Sequence, residues 1–116
     1  MNWKSSIKIN NKIISKKSRC FIIAEIGSNH NQSIKTAKKI ILVAKKAGAD
    51  AVKFQSIDAK EMMFVEKKNL KKLNNLKKIN LNEKWYLELS NFSKKNSNIF
   101  FSTPFYSNSV ALLKNI

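Results

Sequence analysis

The sequence predicts a parallel α/β fold made of repeated strand–helix units. The run 20–26 is almost continuously apolar, which is typical of a strand buried on both faces of a parallel sheet. Helical spacing of apolar residues follows it, and the three-residue link 48–50 leads into a second strand at 51–55. So short a link makes a βαβ unit, with parallel strands and a right-handed crossover. The alternation is compatible with a doubly wound sheet or a (β/α)8 barrel.

The segment before the first strand predicts a β-hairpin. Two short apolar pieces within 7–14 flank Asn10 and Asn11, and asparagine tolerates the positive φ of a tight turn. Residues 15–19 form a basic connector. We therefore divide the chain into a hairpin with its connector, 1–19, and three strand–helix units, 20–116.

Capping signals predict the helices. Ser33 is a candidate N-cap of a first helix that stops before Gly48. Asn82 would cap a second helix, with Glu83 in its first turn and lysines in its last. Its apolar stripe consists of Trp85, Tyr86, Leu89 and Phe92.

The remaining segments complete the alternation of strands and helices. A third strand is predicted at 99–102, and a third helix starts near Ser107. The Lys- and Asn-rich stretch 56–80 is predicted to be an irregular loop, with a short anchored turn at 62–65.

The formal charge of +16 raises the alternative of a basic α/β module that binds nucleic acid. The basic residues are spread over the whole chain, and Arg19 is the single arginine, although base and phosphate recognition favours arginine. The chain has 22 lysines, 15 asparagines and 14 isoleucines, which all have A/T-rich codons. A biased genome therefore explains the charge more simply, and nucleic acid is an improbable partner.

Hydropathy gives no sign of a membrane segment or a secretion signal. No apolar run approaches the roughly 18–20 residues that span a bilayer, and the N-terminus lacks the continuous apolar segment of a signal peptide. The lone Cys20 fits a reducing compartment. We expect a cytoplasmic protein.

Polar residues collect where the predicted strands end, which is where parallel α/β folds place their active sites. Glu25 lies near the end of the first strand, Lys53 and Gln55 on the second, and Thr103 just after the third. Side chains alternate along a strand, so Lys53 and Gln55 share one face. A lysine there needs an anionic partner, because burying an unpaired ammonium is costly.

Plainer interpretations of these residues remain open. Lys53 could form a structural ion pair with Glu25 across adjacent strands, and such a pair could coexist with function. Thr103 and Pro104 could be only a strand-terminating turn. His30, the sole histidine, lies in a polar Asn-rich turn that is typical of a loop hydrogen-bonder. No Cys, His and Asp cluster has the spacing of metal ligands.

Three motifs, in order, resemble the sialic acid synthase family. They are FIIAEIGSNHN at 21–31, AGADAVKFQS at 47–56 and FSTPF at 101–105, and the hairpin before them resembles the barrel-floor hairpin of that family. The resemblance implies the N-terminal part of a (β/α)8 TIM-barrel N-acylneuraminate synthase. Such enzymes condense phosphoenolpyruvate with an N-acyl amino sugar such as N-acetylmannosamine. The sialic, legionaminic and pseudaminic acid pathways share these motifs.

The resemblance also implies roles for single residues. Lys53 would bind the anionic groups of phosphoenolpyruvate, with Thr103 helping to fix its carboxylate. Glu25 would be the catalytic acid/base or hydroxyl-orienting residue, and Gln55 would lie beside it near the sugar. Two further groups complete the implied site: Phe105 lines the pocket, and Asn29 and His30 shape the first loop.

The family implies a divalent metal, Mn²⁺ or Mg²⁺, whose ligands are not in this chain, and a homodimer. Three parallel strands cannot close a barrel. We therefore expect a piece or a half of a synthase that is inactive alone, and an inactive remnant is a further alternative.

Overall fold

The computed structural model describes residues 5–64 and 66–116, and its N-terminal element is the expected hairpin. Strands β1 (Ser6–Ile9) and β2 (Lys12–Ser15) pair antiparallel, with Ser6 opposite Ser15. Asn10 occupies the turn with a φ of 51°, the left-handed conformation for which asparagine is suited. The hairpin prediction is confirmed.

A three-stranded parallel sheet forms the centre of the fold. Strand β4 (Ala51–Ser56) lies between β3 (Ile23–Gly27) and β5 (Ile99–Pro104). Both strand pairs are parallel, as the short link and the intervening helices predict. The α/β class and the strand order along the chain are therefore confirmed.

Helix α1 (Ile34–Lys46) covers one face of this sheet. The Ser33 hydroxyl accepts a hydrogen bond from the Thr36 N–H at 3.2 Å, as expected of an N-cap. Gly48 follows the helix with a φ of 92°. The buried side of the helix packs with alternate β4 residues in one core, whose members include Ala37, Ile41, Ala44, Val52 and Phe54.

Helices α4 (Trp85–Lys95) and α5 (Ser107–Lys114) complete the predicted units. The predicted stripe of α4 faces the core, with Tyr86 and Leu89 fully buried. Helix α4 begins two residues later than an Asn82 cap predicts, because Lys84 occupies the N-cap position. The Asn82 side chain accepts from the Lys84 N–H and its carbonyl accepts from the Trp85 N–H, which closes a separate turn that also contains Glu83.

The prediction of an irregular loop at 56–80 is wrong. Helix α2 (Ala59–Met62), a 3-10 turn (Lys67–Asn69) and helix α3 (Leu70–Lys77) occupy it. The Asp58 carboxylate caps α2 by accepting from two backbone N–H groups, and Leu73 buries the inner side of α3. The turn at 62–65 is not anchored by Phe64, which is 88% exposed, and Val65 lies outside the described residues.

The first strand of the sheet is shorter and more exposed than its composition predicts. It begins at Ile23 rather than Cys20, and Ile22 and Ile23 are about half exposed. The reason is position, because β3 is an edge strand with β4 as its neighbour. Among the described helices, none has both the length and the apolar character needed to cross a membrane.

Candidate functional site

One face of the sheet carries four of the predicted site residues. Glu25 is in register with Lys53, and Gln55 with Thr103. Paired residues of parallel strands point to the same side, and alternate residues of one strand do too. Glu25, Lys53, Gln55 and Thr103 therefore share the face opposite the helices, towards the carboxyl ends of the strands. We call these four residues the polar face.

A salt bridge joins the first two members of the polar face. Lys53 Nζ lies 2.6 Å from Glu25 Oε2, and the side chains are 38% and 50% exposed. The Gly27 N–H donates to the other carboxylate oxygen at 3.1 Å. Lys53 and Glu25 therefore form the ion pair that the sequence left open as an alternative. Both side chains are exposed enough to contact a ligand as well.

The loop after β3 also reaches Gln55. The Ser28 hydroxyl lies 3.4 Å from Gln55 Oε1. Gly27 has a φ of 57°, and a Cβ at this position would lie 3.8 Å from the Gln55 side chain. The turn therefore brings the loop backbone against two members of the polar face at once.

Strand β5 is hydrogen-bonded to β4 on the side of the sheet away from the polar face. The hydroxyl oxygens of Ser56 and Ser102 lie 2.5 Å apart, and the Phe105 N–H donates to the Ser56 carbonyl at 3.2 Å. These bonds hold the ends of β4 and β5 together, so that Thr103 stays opposite Gln55. Phe105 itself is 45% exposed, beyond the end of β5.

Asn29 and His30 lie in the loop after β3 but differ in exposure. Asn29 is exposed and donates its N–H to the Ile26 carbonyl at 3.1 Å. His30 is fully buried, and neither ring nitrogen has a hydrogen-bond partner among the described residues. The expectation of a loop hydrogen-bonder is therefore wrong, because the side chain turns inward to Phe54 and Trp85.

Asp50, the last residue of the predicted link 48–50, lies at the opposite end of the sheet from the polar face. Its buried carboxylate binds the Arg19 guanidinium and the Lys12 ammonium and accepts from the Ile22 N–H at 2.9 Å. These hydrogen bonds, from Arg19 foremost, hold the pKa of Asp50 well below its ordinary value. Its role could have been inferred from the sequence, because an acidic residue directly before a buried strand is unusual in so basic a chain.

The polar face offers charge recognition rather than metal binding. It presents an ammonium, a carboxylate, an amide and a hydroxyl, which suits a small ligand with anionic and hydroxyl groups. In the part of the chain that the structure describes, no three His, Cys, Asp or Glu side chains come together as metal ligands. The residues present therefore do not fit the divalent metal that the resemblance implies.

Comparison with known proteins decides the family. Residues 40–116 match the NeuB family. The chain belongs to the NeuB family. A similar relative is the N,N'-diacetyllegionaminic acid synthase of Campylobacter jejuni, which is 38% identical over 109 residues. That alignment covers 84% of this chain and 33% of the relative.

Two further relatives support membership of the NeuB family. The N-acetylneuraminate-9-phosphate synthase of Mus musculus is 59% identical over 39 residues, which cover 34% of this chain and 11% of the relative. The crystal structure of the N-acetylneuraminic acid (sialic acid) synthetase of Leptospira borgpetersenii, in complex with citrate, superposes with a TM-score of 0.84 at 33% identity. That match covers 95% of this chain and 38% of the other. The chain thus spans about a third of the length of the Campylobacter relative.

Proposed function

We propose that this chain is the N-terminal part of a (β/α)8-barrel synthase that condenses phosphoenolpyruvate with an N-acyl amino sugar. The product would be a nine-carbon, sialic-acid-like 2-keto acid, released together with phosphate. The observation that carries the proposal is the Glu25–Lys53 salt bridge on a face shared with Gln55 and Thr103. Membership of the NeuB family supports it.

Each member of the polar face has a role that its chemistry fits. Lys53 would bind the anionic groups of phosphoenolpyruvate, because an ammonium on a half-exposed strand end attracts a multiply charged anion. The Thr103 hydroxyl would donate to the carboxylate of phosphoenolpyruvate. Glu25 would orient a sugar hydroxyl or transfer a proton, and the Gln55 amide would lie beside the sugar. Phe105 would line the pocket, and Asn29 would shape the loop after β3.

The proposed reaction forms one carbon–carbon bond, and at C2 it replaces the bond to the phosphate oxygen by a bond to a water oxygen. C3 of phosphoenolpyruvate attacks the aldehyde carbon of the open-chain sugar, whose oxygen takes up a proton. Water adds at C2 and loses one proton, and the resulting C2 hydroxyl loses its second proton as the keto C=O forms and phosphate leaves with the electrons of its C–O bond. One of these protons balances the proton taken up by the sugar oxygen, and the other is taken up by the departing phosphate. The residues of this chain would bind and orient the two substrates for that step.

The alternative of a nucleic-acid-binding module gains no support from the contacts of the arginine. The Arg19 guanidinium is bound to Asp50 at the amino ends of the strands. The arginine, best suited to phosphate recognition, therefore serves as a structural partner.

A chimaera tests the proposed function. Residues 5–116 would replace the aligned third of the Campylobacter jejuni synthase, and phosphate release from phosphoenolpyruvate would be measured with Mn²⁺ present. N-acetylmannosamine and a 2,4-diacetamido hexose would be compared as acceptors. We expect phosphate release that depends on one of these sugars. A folded chimaera that releases no phosphate with either sugar would refute the proposal.

Substitutions in the chimaera test the assignment of Lys53. Lys53→Met removes a charge-assisted contact worth roughly 1.5–3 kcal/mol, so kcat/KM should fall at least about tenfold. The matched control is Lys39→Met, at an exposed position on α1, which should leave kcat/KM unchanged. Equal effects of the two substitutions would remove Lys53 from the site.

A further inference from the structure

The imidazole of His30 lies behind the sheet, between a strand and a helix. It belongs to the loop between β3 and α1, and its exposed fraction is 0%. The ring meets Trp85 edge-on with centroids 6.0 Å apart and lies tilted at 6.4 Å from Phe54. Phe54 stands between Lys53 and Gln55 on β4, with its side chain on the core side of the strand. His30 therefore connects the loop to the strand that carries half of the polar face.

The contacts of His30 are packing contacts. Neither ring nitrogen has a hydrogen-bond partner within residues 5–64 and 66–116, and burial lowers the pKa of the imidazole. A buried polar atom without a partner costs about 1–3 kcal/mol. The neutral, flat ring thus contributes by its shape and by its aromatic contacts.

The backbone around His30 is held in a conformation that needs an anchor. Asn31 and Gln32 have φ values of 47° and 53°, both in the left-handed region, which is disfavoured for residues with side chains. The His30 carbonyl accepts from the Ser33 N–H at 2.9 Å, which places the loop directly before the α1 cap. The Gln32 side-chain amide holds the outer side of the loop by donating to the Lys78 and Asn80 carbonyls, and the His30 ring is its anchor on the core side. Removal of the ring would take away that core-side anchor.

We propose that His30 is a positioning residue that holds the segment 27–33, from the last residue of β3 to the N-cap of α1, against the polar face. Its ring, packed on Phe54 and Trp85, fixes the loop so that the Ser28 hydroxyl meets Gln55, and it holds the end of β3, where the Gly27 N–H donates to the Glu25 carboxylate. The importance of this arrangement for a reaction rests on the proposed function, but the arrangement itself is measurable without any substrate.

The experiment is NMR spectroscopy of the 116-residue chain and three variants. The readouts are the Gly27 amide shift, the Glu25 side-chain carboxyl shift and amide exchange through the loop. His30→Ala should move both shifts towards those of solvated groups and speed loop exchange at least about tenfold. His30→Phe, which keeps the flat ring, should retain the native values. His30→Leu replaces the alanine variant if that variant does not fold.

A matched control separates positioning from general stability. Ile41→Ala truncates a fully buried side chain two turns into α1, and it should lower the unfolding temperature while leaving the Gly27 and Glu25 shifts in place. Unchanged shifts in His30→Ala, or equal changes in Ile41→Ala, would overturn the proposal. So would a His30→Phe variant as disturbed as His30→Ala, because the ring nitrogens would then be required.

The same variants in the chimaera keep the two proposals distinguishable. If His30 positions the polar face, His30→Ala lowers kcat at least about tenfold, and His30→Phe restores it. A chimaera without activity would refute the proposed function and leave the NMR result standing. An active chimaera whose kcat is unaffected by His30→Ala would overturn the positioning role alone.

Discussion

Replacing the buried Asp50 carboxylate should destabilise the chain by loosening the hairpin from the sheet. Asp50 binds Lys12 of β2, Arg19 of the connector and the Ile22 N–H just before β3. These partners lie 38, 31 and 28 residues away in sequence. The informative substitution is Asp50→Asn, because asparagine retains an acceptor oxygen for Ile22 and loses the charge.

The expected cost follows from the exposure of the partners. The Arg19 and Lys12 side chains are 66% and 37% exposed, so both cations regain water when the carboxylate is removed. Each pair is then worth up to about 1 kcal/mol, as at a surface. Asp50→Asn should therefore lower the free energy of unfolding by up to about 2 kcal/mol. Asp50→Ala, which also loses the bond to the Ile22 N–H, should cost about 1 kcal/mol more.

Urea denaturation at two pH values measures this cost. The folded-state pKa of Asp50 lies below its unfolded value, so its contribution is fully present above about pH 4 and is lost as the pH falls towards the folded-state pKa. In that acidic range the free energies of unfolding of the wild type and Asp50→Asn should become equal. Glu88→Gln, at the exposed pair with Lys38, is the control and should change stability by less than about 0.5 kcal/mol. Equal effects of the two substitutions at pH 7 would refute the reasoning.

Three further substitutions probe local features of the fold by thermal or urea denaturation. Ser33→Ala removes the cap on the Thr36 N–H and should cost about 1 kcal/mol, whereas Ser33→Asp should retain most of the stability. Gly48→Ala forces a side chain into a φ of 92° and should lower the free energy of unfolding by about 1 kcal/mol or more, although the space beside it is open. A Gly48→Ala variant as stable as the wild type would contradict the argument from backbone strain. Tyr106→Phe removes a hydroxyl that donates to Glu83 at 2.7 Å and should cost about 1 kcal/mol, and a double-mutant cycle with Glu83→Gln should show coupling.

The sequence predicts those parts of the fold that depend on local patterns. The Ser33 cap, the apolar stripe of α4 and the three parallel strands follow from spacing and capping rules. Helix α3 escapes the prediction because lysine and asparagine dominate its composition, although Leu70, Leu73 and Leu76 mark one side of it. The exposure of β3 depends on its place at the sheet edge, which its own composition does not encode.

The candidate site also has features that follow from local sequence patterns and features that depend on tertiary packing. The shared side of Lys53 and Gln55 follows from strand alternation, and the structure adds that Glu25 reaches Lys53. The inward turn of His30 could not be predicted, because its packing partners lie 24 and 55 residues further along the chain. The binding roles of these residues stay predictions until substrates are tested.

Strand β4 has consequences for how the length of this protein can change in evolution. Lys53 and Gln55 point to one side of the sheet, while Val52, Phe54 and Ser56 point to the other and are fully buried. One inserted or deleted residue within β4 would exchange the two sides, sending a lysine into the core and a phenylalanine to the polar face. The connection from β4 to α4 carries no such constraint. Length variation in homologues should therefore concentrate between residues 57 and 81 and be absent from 51–56.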